Sequence, residues 1–287
     1  ACDSHGYTKD EFMNMSMREL SLSPPELAEA RRNQLAEKGE ATFEGVHLCK
    51  DGSVIPVERH SNVIKLGNKR YILTVAHDTT ERKKTEEEIK QSLARLQRAI
   101  EQAINTMALI TELRDPYTAG HQHRVSQLSL AIAQEMNLPD YQVEGIRIAS
   151  LVHDIGKMHV PAEILSKPGK LTALEFEMIK AHCQVGYDIL KTIDFPWPIA
   201  QIVLQHHERI NGSGYPAGLT GEKALLEAKI MAVADVVEAM SSHRPYRPAL
   251  GADKALEEIE KNKGILYDPD VVDTCVRLFA EKGFRLD

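Results

Sequence analysis

Residues 149–157 read Ala-Ser-Leu-Val-His-Asp-Ile-Gly-Lys, and this stretch decides how the C-terminal part of the chain is interpreted. Apolar residues recur at intervals of three and four from Val143 to Val152, which predicts a helix. His153 and Asp154 follow side by side, and we expect them about 100° apart on that helix, where they can bind neighbouring metal ions. Lys157 comes four residues after His153 and is expected on the same face.

Further histidines and a second aspartate occur at separate points in apolar, helix-like sequence. Packing gives little reason for so many polar groups there, whereas imidazole and carboxylate together suit divalent transition metals such as iron, manganese or zinc. Two adjacent pairs exceed the needs of one tetrahedral site, so we predict two metal ions. The cluster comprises His121, His153, Asp154, His182, His206, His207 and Asp235.

Composition indicates room for two modest domains of ordinary balance: 287 residues, 43% of them hydrophobic and 27% charged. The net charge of −7 argues against binding to a nucleic-acid polymer, so an anionic substrate would need a local basic pocket. The four cysteines form no Cys-x-x-Cys pair and suit a reducing cytosol. Cys183, beside His182, is interpreted as a buried structural thiol in preference to a soft metal ligand.

The chain shows no sign of a membrane segment. No stretch approaches the roughly 18 uninterrupted apolar residues of a membrane helix, and the polar N-terminal residues resemble no secretory signal. We therefore predict a cytoplasmic protein. The sequence lacks an initiator Met, so we expect a fragment of a longer chain, whose upstream part leaves a membrane anchor open.

Residues 1–82 have the pattern of a mixed α/β domain. Short helical pieces are predicted between Thr8 and Leu27, interrupted at Pro24-Pro25, and a hairpin turn is predicted around Asn68. The predicted strands are Ala41–Leu48, Val54–Glu58 and Arg70–Ala76.

Three runs in this part resemble the later half of a PAS sensor domain: residues 6–12, residues 50–57 and residues 78–83. The first strands of that fold have no counterpart, and the sensor ligand stays open. Its histidines are interpreted as surface or satisfied core residues in preference to haem ligands; they are His5, His47, His60 and His77.

Residues 83–111 are predicted to form one long linker helix. Apolar residues step by 4, 3, 4, 3, 4, 3 at Ile89, Leu93, Leu96, Ile100, Ala103, Met107 and Ile110. This spacing predicts a short parallel coiled coil, and hence a homodimer through residues 89–110. The alternative is an amphipathic helix that packs on its own domain.

Residues 112–287 are predicted to be all-α, with helical periodicity in Val125–Met136, Val143–Val152, Ala173–Leu190 and Leu225–Met240. Motifs along this part resemble the HD-GYP family, a branch of the HD phosphohydrolases that cleaves cyclic di-GMP. They occupy residues 114–121, 153–157, 164–172, 206–216 and 244–247. The predicted architecture is therefore an α+β PAS-like domain, a coiled-coil linker and an all-α HD-type domain.

The resemblance implies roles for particular residues. The seven cluster residues become the metal ligands, with Asp154 bridging, and iron or manganese is favoured. Lys157 would meet the scissile phosphate or the metal-bound hydroxide, and two metals would activate that hydroxide for in-line attack on phosphorus. Arg244 and Arg247 match positions that hold substrate phosphate, and Tyr215 lies in the signature loop.

One departure concerns a third metal. Some family members carry a glutamate where this chain has Tyr117, and a phenol with a pKa of about 10 is a poor ligand at neutral pH. We therefore expect two metals, with the linear product pGpG formed first and converted to GMP slowly if at all. The alternatives are another cyclic dinucleotide or a nucleotide as substrate, or a non-enzymatic sensor–effector scaffold.

Overall fold

The computed structural model describes residues 2–115, 119–242 and 249–286. The chain divides into two compact units, Ala1–Gln97 and Arg98–Asp287. No helix within the described ranges is both long and apolar enough to cross a membrane.

The N-terminal unit combines short helices with one antiparallel sheet, as its sequence predicts. Its sheet has the order β1-β2-β3. Gly39 adopts a left-handed conformation (φ +78°) that ends the last of the helices, and Gly67 (φ +61°) forms the predicted hairpin turn. The elements are α1 (Cys2–His5), α2 (Lys9–Asn14), α3 (Met17–Leu20), α4 (Pro25–Lys38), β1 (Glu40–Leu48), β2 (Val54–Leu66) and β3 (Lys69–Asp78).

Strand β2 is longer than the sequence predicts. The prediction ended the strand at Glu58, and the next four residues, Arg59 to Asn62, are all polar. In the structure both edges of this segment are paired, for example Ser61 with Ala41 on one side and with Thr74 on the other. Pairing on both sides therefore maintains the strand through polar sequence.

Helix α5 (Thr80–Arg114) confirms the predicted long helix. The apolar residues of the predicted coiled coil are largely exposed; Ile89 is 62% and Leu96 is 58% exposed. The helix packs into the C-terminal unit through a different face, with Ile104 and Ala108 buried. The coiled coil stays a prediction.

The named elements among the described residues of the C-terminal unit are all helices, which confirms the all-α prediction. Its core is continuous, and α12 contributes a fully buried run that includes Ile230, Met231 and Val237. The helices are α6 (His121–Glu135), α7 (Asp140–Val152), α8 (Ala162–Leu165), α9 (Ala173–Lys180), α10 (His182–Leu190), α11 (Ile199–Gln205), α12 (Leu226–Ser241), α13 (Ala252–Lys261) and α14 (Pro269–Ala280).

Two helix predictions need correction. Helix α7 ends at Val152, and a 3₁₀ helix over Ile155–His159 follows, so His153 and Asp154 lie in a turn and not on a regular helix. The reason is a close backbone contact: a Cβ on Gly156 would lie 1.9 Å from the carbonyl oxygen of His182. The predicted helix Ala173–Leu190 is likewise divided at Ala181 into α9 and α10.

Candidate metal centre

The helix ends of the C-terminal unit bring all seven predicted metal ligands into one buried cluster. Most ligands lie where a helix begins or ends: His121 opens α6, His182 opens α10, and His206 follows α11. Asp235 instead comes from the buried middle of α12. Residues far apart in sequence thus meet where these helices converge.

Three of the histidines are oriented in the same way. The Nδ1 atom of His153 lies 2.7 Å from the carbonyl oxygen of Ser150. His182 and His206 make the same contact with the carbonyl oxygen three residues earlier, at 2.7 and 2.6 Å. A carbonyl oxygen can only accept, so Nδ1 carries the proton and Nε2 keeps its lone pair. Each ring therefore presents a metal-binding nitrogen to the centre.

Asp154 stands between two sets of these nitrogens. Its Oδ2 lies 3.5 Å from Nε2 of His153, and its Oδ1 lies 3.6 Å from Nε2 of His182. On the far side, Nε2 of His121 lies 3.3 Å from Oδ1 of Asp235. Two ligands each about 2.1 Å from one ion stand roughly 3–4 Å apart, so these separations fit shared metal ions.

The ligand atoms form overlapping groups, each contained within 4.8 Å. One group joins His121, His153 and Asp235, and a second joins His153, Asp154 and His206. The third contains His182, Cys183, His206 and His207. Nitrogen and oxygen donors in this arrangement fit divalent transition metals, so the residues present suit the metal pair implied by the sequence.

Burial keeps most of these imidazoles neutral. Desolvation lowers the pKa of His206 to about 3, with a further contribution from the charges of its histidine neighbours. The pKa values of His153, His182 and His207 are also lowered, again mainly by burial. Neutral imidazole is the form that binds metal, so these four ligands need not lose a proton to do so.

His121 differs because two carboxylates contact it. Burial alone would lower its pKa, but hydrogen bonds with Asp235 and Glu238 outweigh that effect and raise the pKa to about 9. Burial also opposes ionisation of Asp154, yet the positive charge of Lys157 beside it holds its pKa well below the ordinary value. The carboxylate is therefore ionised and ready to bind a cation.

Glu238 is a buried partner of this cluster that the sequence analysis missed. Its side chain is fully buried and is hydrogen-bonded to Nδ1 of His121. Arg124 Nε and Ser242 Oγ donate to its other oxygen at 2.9 and 2.7 Å. A signal was present, because Glu238 follows Asp235 by three residues and so shares its helix face.

Lys157 lies beside the predicted bridging carboxylate. Its Nζ is 2.6 Å from Oδ2 of Asp154 and 3.7 Å from Oδ2 of Asp115. The expected alignment with His153 along a regular helix is wrong, because the 3₁₀ turn directs the lysine to Asp154 instead. The side chain of Lys157 is 15% exposed, so its ammonium group remains reachable from solvent.

Tyr215 borders the centre on the side of His207, with the two ring centroids 4.8 Å apart. Its loop is fixed by Glu208, which accepts hydrogen bonds from the backbone amides of Ala217 and Leu219 at 2.8 and 2.9 Å. Arg244, Arg247 and Tyr117 lie outside the described residues.

Cys183 is fully buried with a free thiol, and burial raises its pKa. Its Sγ lies 3.5 Å from Nε2 of His182. The prediction that Cys183 is a structural thiol and not a metal ligand therefore stays a prediction.

Comparison with known families agrees with this fold and site. Residues 105–271 match the family model of the HD domain, and residues 1–81 match that of the PAS domain. The chain belongs to the HD domain family, and its N-terminal unit is a PAS domain. The family prediction made from the sequence is confirmed.

Curated relatives match part of this chain. A cyclic di-GMP phosphodiesterase response regulator of Xanthomonas campestris is 41% identical over 194 residues, which is 67% of this chain and 48% of the relative. A cyclic di-GMP phosphodiesterase of Thermotoga maritima is 41% identical over 182 residues, covering 63% of this chain and 50% of the relative. A 3′3′-cGAMP-specific phosphodiesterase of Vibrio cholerae is 37% identical over 171 residues, covering 60% and 37%. The chain thus spans about half the length, or less, of these relatives.

Proposed function

We propose that the HD unit is a metal-dependent phosphodiesterase that hydrolyses cyclic di-GMP to linear pGpG. The observation that carries this proposal is the position of Asp154, whose two oxygens face different histidines of one buried cluster. The names of the Xanthomonas and Thermotoga relatives support cyclic di-GMP as the substrate.

Two divalent metals, iron or manganese by preference, would be held by the seven cluster residues with Asp154 shared. When bound, such a pair polarises phosphoryl oxygens and lowers the pKa of water at the site. A complete set of ligands argues against a non-enzymatic scaffold, because a scaffold has no use for it.

The chain's own groups define what happens to the substrate. Hydrolysis adds the oxygen of water to one phosphorus and breaks its bond to a 3′ oxygen, which leaves as a hydroxyl with a proton from the water. The ammonium of Lys157 places a positive charge beside Asp154, where charge develops on the phosphoryl oxygens during attack. Tyr215, against His207, offers an aromatic surface at the rim on which a nucleobase can stack.

We further propose that pGpG is released before any GMP forms. Tyr117 offers no carboxylate for a third metal, and two metals leave less electrostatic help for a second cut. Arg244 and Arg247 are proposed to hold the substrate phosphates, because a guanidinium binds phosphate through two parallel hydrogen bonds.

A second substrate is supported by the cGAMP-specific relative in Vibrio cholerae. Both substrates should be tested on anaerobically purified protein whose metal content is measured on the same sample. A chromatographic time course with cyclic di-GMP, 3′3′-cGAMP and pGpG as separate substrates decides between them. Turnover of cyclic di-GMP with early pGpG supports the proposal; faster turnover of cGAMP, or GMP as the first main product, contradicts it.

The PAS domain is proposed to regulate this activity through a cytoplasmic homodimer formed by residues 89–110. The apolar residues of this helix, here called the seam, repeat every 3.5 residues on average, which is the period of a two-stranded coiled coil. They are largely exposed in the single chain. A second copy would cover it, and two nearby registers would let a sensor signal pass along the helix.

Substitution of the seam tests the dimer. Leu96→Gln with Ile100→Gln should produce a monomer by light scattering, with unchanged metal content. Leu174→Gln, at a still more exposed leucine of α9, is the control. A monomeric wild type would overturn the dimer, and a dimer that survives the double substitution would place its interface elsewhere.

A further inference from the structure

The PAS domain contains a cavity of about 540 Å³ between its helices and its sheet. Volumes of this size hold small organic ligands. The walls are unusual in charge: four arginines line the cavity, Arg18 from α3, Arg31 and Arg32 from α4, and Arg59 from β2. No acidic side chain is among the described residues that line it.

Arg59 is the innermost of these arginines. It is only 9% exposed, and one of its Nη atoms donates to Ser21 Oγ at 3.2 Å. Its Nε is buried and has no hydrogen-bond partner within the described residues. A guanidinium has five N–H donors in a fixed fork, so this side chain is poorly satisfied by the protein itself.

Arg31 adds a second cation to the same cavity. Its guanidinium donates to Ser23 Oγ at 2.9 Å and to the backbone oxygen of Glu44 at 2.6 Å, and it lies 5.3 Å from the centroid of the Phe43 ring. All of these partners are uncharged. The carboxylate of Glu44 pairs with Lys83 instead, and neither Arg31 nor Arg59 forms an ion pair anywhere in the described ranges.

Arg59 is buried and Arg31 is half-buried, and two neighbouring like charges without a counter-ion are costly. This electrostatic cost is reflected in the pKa of Arg59, which is lowered first by burial and then by the charge of Arg31. A structural arginine would be expected to have a carboxylate partner. An anion bound in the cavity would supply this missing negative charge.

We propose that this cavity binds a small organic anion whose carboxylate, or equivalent oxyanion, is held by Arg59 and Arg31. Two oxygens of one planar group match the guanidinium fork. Leu35, Phe43 and Ile72 provide an apolar wall for the rest of the ligand. Arg18 and Arg32 are exposed at the rim, where they attract an anion from solvent.

The proposal is independent of the activity of the HD unit and can be tested by binding to the full chain. The probes are benzoate, succinate and inorganic phosphate, each titrated calorimetrically in Tris buffer at constant chloride. At least one carboxylate should bind saturably, and Arg59→Gln should weaken that binding at least about tenfold, the factor expected for a lost charged hydrogen bond. Phosphate that binds more tightly than both carboxylates would assign the oxyanion to a phosphate.

Arg70→Gln is the matched control, because it removes the same charge from an exposed position of β3. It should bind the probe like the wild type. Arg31→Gln is a second variant within the cavity and keeps the test decisive should Arg59→Gln fold poorly. Without a ligand, Arg59→Gln should unfold at the same or a higher temperature, since it removes a buried unpaired charge.

Two results would overturn the proposal. One is the absence of saturable binding by all three probes. The other is equal binding to wild type, Arg59→Gln and Arg31→Gln, because an anion that binds at the metal centre would be unaffected by either cavity variant.

Discussion

The two units bury polar groups of opposite character. Around the metal centre the inward-facing atoms are imidazole Nε2 lone pairs and carboxylate oxygens, all of which accept a cation. In the PAS cavity the charged groups among the lining residues are guanidinium groups, which bind an anion. Burying either group of polar atoms without a partner is unfavourable. We therefore interpret the first as a binding site for cations and the second as a binding site for an anion.

The difference lies in how each unit supports its buried set. In the HD unit, backbone carbonyls fix three imidazoles, and Lys157 and Arg124 neutralise buried carboxylates. The centre is therefore held in shape before metals bind. In the PAS cavity, Arg31 and Arg59 have neutral partners only within the described ranges. That cavity should respond to its ligand more strongly than the metal centre does.

The largest effect should follow loss of the Asp154 carboxylate, whose two oxygens face different histidines. Asp154→Ala removes oxygens that face His153 and His182, so we expect metal content to fall and turnover to become undetectable. Metal analysis and turnover on one sample measure both. Asp188→Ala, at an exposed aspartate of α10, is the control and should match the wild type. Full metal content and full turnover in Asp154→Ala would remove Asp154 from the centre.

Loss of the ammonium next to this carboxylate should affect rate and leave metal binding intact. An ammonium cannot ligate a metal, so Lys157→Ala should keep its metals while turnover falls on the order of 10²–10³-fold, as for one positioned electrostatic donor. Lys254→Ala, at an exposed lysine of α13, is the control. An unchanged rate would make Lys157 an ordinary surface lysine.

Loss of the negative charge of Glu238, which is hydrogen-bonded to His121, should weaken metal binding without abolishing it. Glu238→Gln keeps the shape of the side chain but removes the charge that orients His121, and partners of this kind contribute about 10–100-fold to metal affinity. Competition with a chelator gives the affinity, and thermal unfolding reports any separate loss of stability. Glu257→Gln, exposed on α13, is the control. An affinity equal to wild type would reduce Glu238 to a packing residue.

The contrast between the units also explains what the sequence could predict. Most ligands of the centre lie in short contiguous motifs. Polar residues are also easy to notice within the apolar sequence of a predicted helix, so His121, His182 and Asp235 could be recognised individually. The end of α7 could not, because it depends on the contact of Gly156 with the His182 carbonyl, 26 residues further along the chain. The spacing of apolar residues within one segment cannot indicate such a contact.

The arginine cavity was missed for a similar reason. Arg31 and Arg59 come from different elements, and each is unremarkable in its own segment. Only the fold of α4 onto the sheet places both on one cavity. The predicted strand also ended at Glu58, one residue before Arg59.

The smallest effect should be the acid sensitivity of the metal-free HD unit. His153, His182, His206 and His207 have pKa values below the ordinary 6.5, that of His206 at about 3. Between these values and 6.5 the unfolded chain binds protons that the folded protein does not, so stability falls as pH falls through this window. Each such histidine contributes up to about 1.4 kcal/mol per pH unit. His121, with a pKa of about 9, works in the opposite sense; its contribution is fully present below pH 6.5 and is lost as pH rises through 9.

We therefore expect the unfolding temperature of chelator-treated protein to fall by several degrees between pH 6.5 and pH 5.5. In the PAS domain, burial lowers the pKa of His47 to about 4, so this histidine acts in the same sense. Metal-loaded protein is the control, because bound metals keep their ligands deprotonated and move the loss to lower pH. An unfolding temperature that is constant over this interval without metals would mean that the four imidazoles are not held neutral, and the centre would then not be organised before its metals bind.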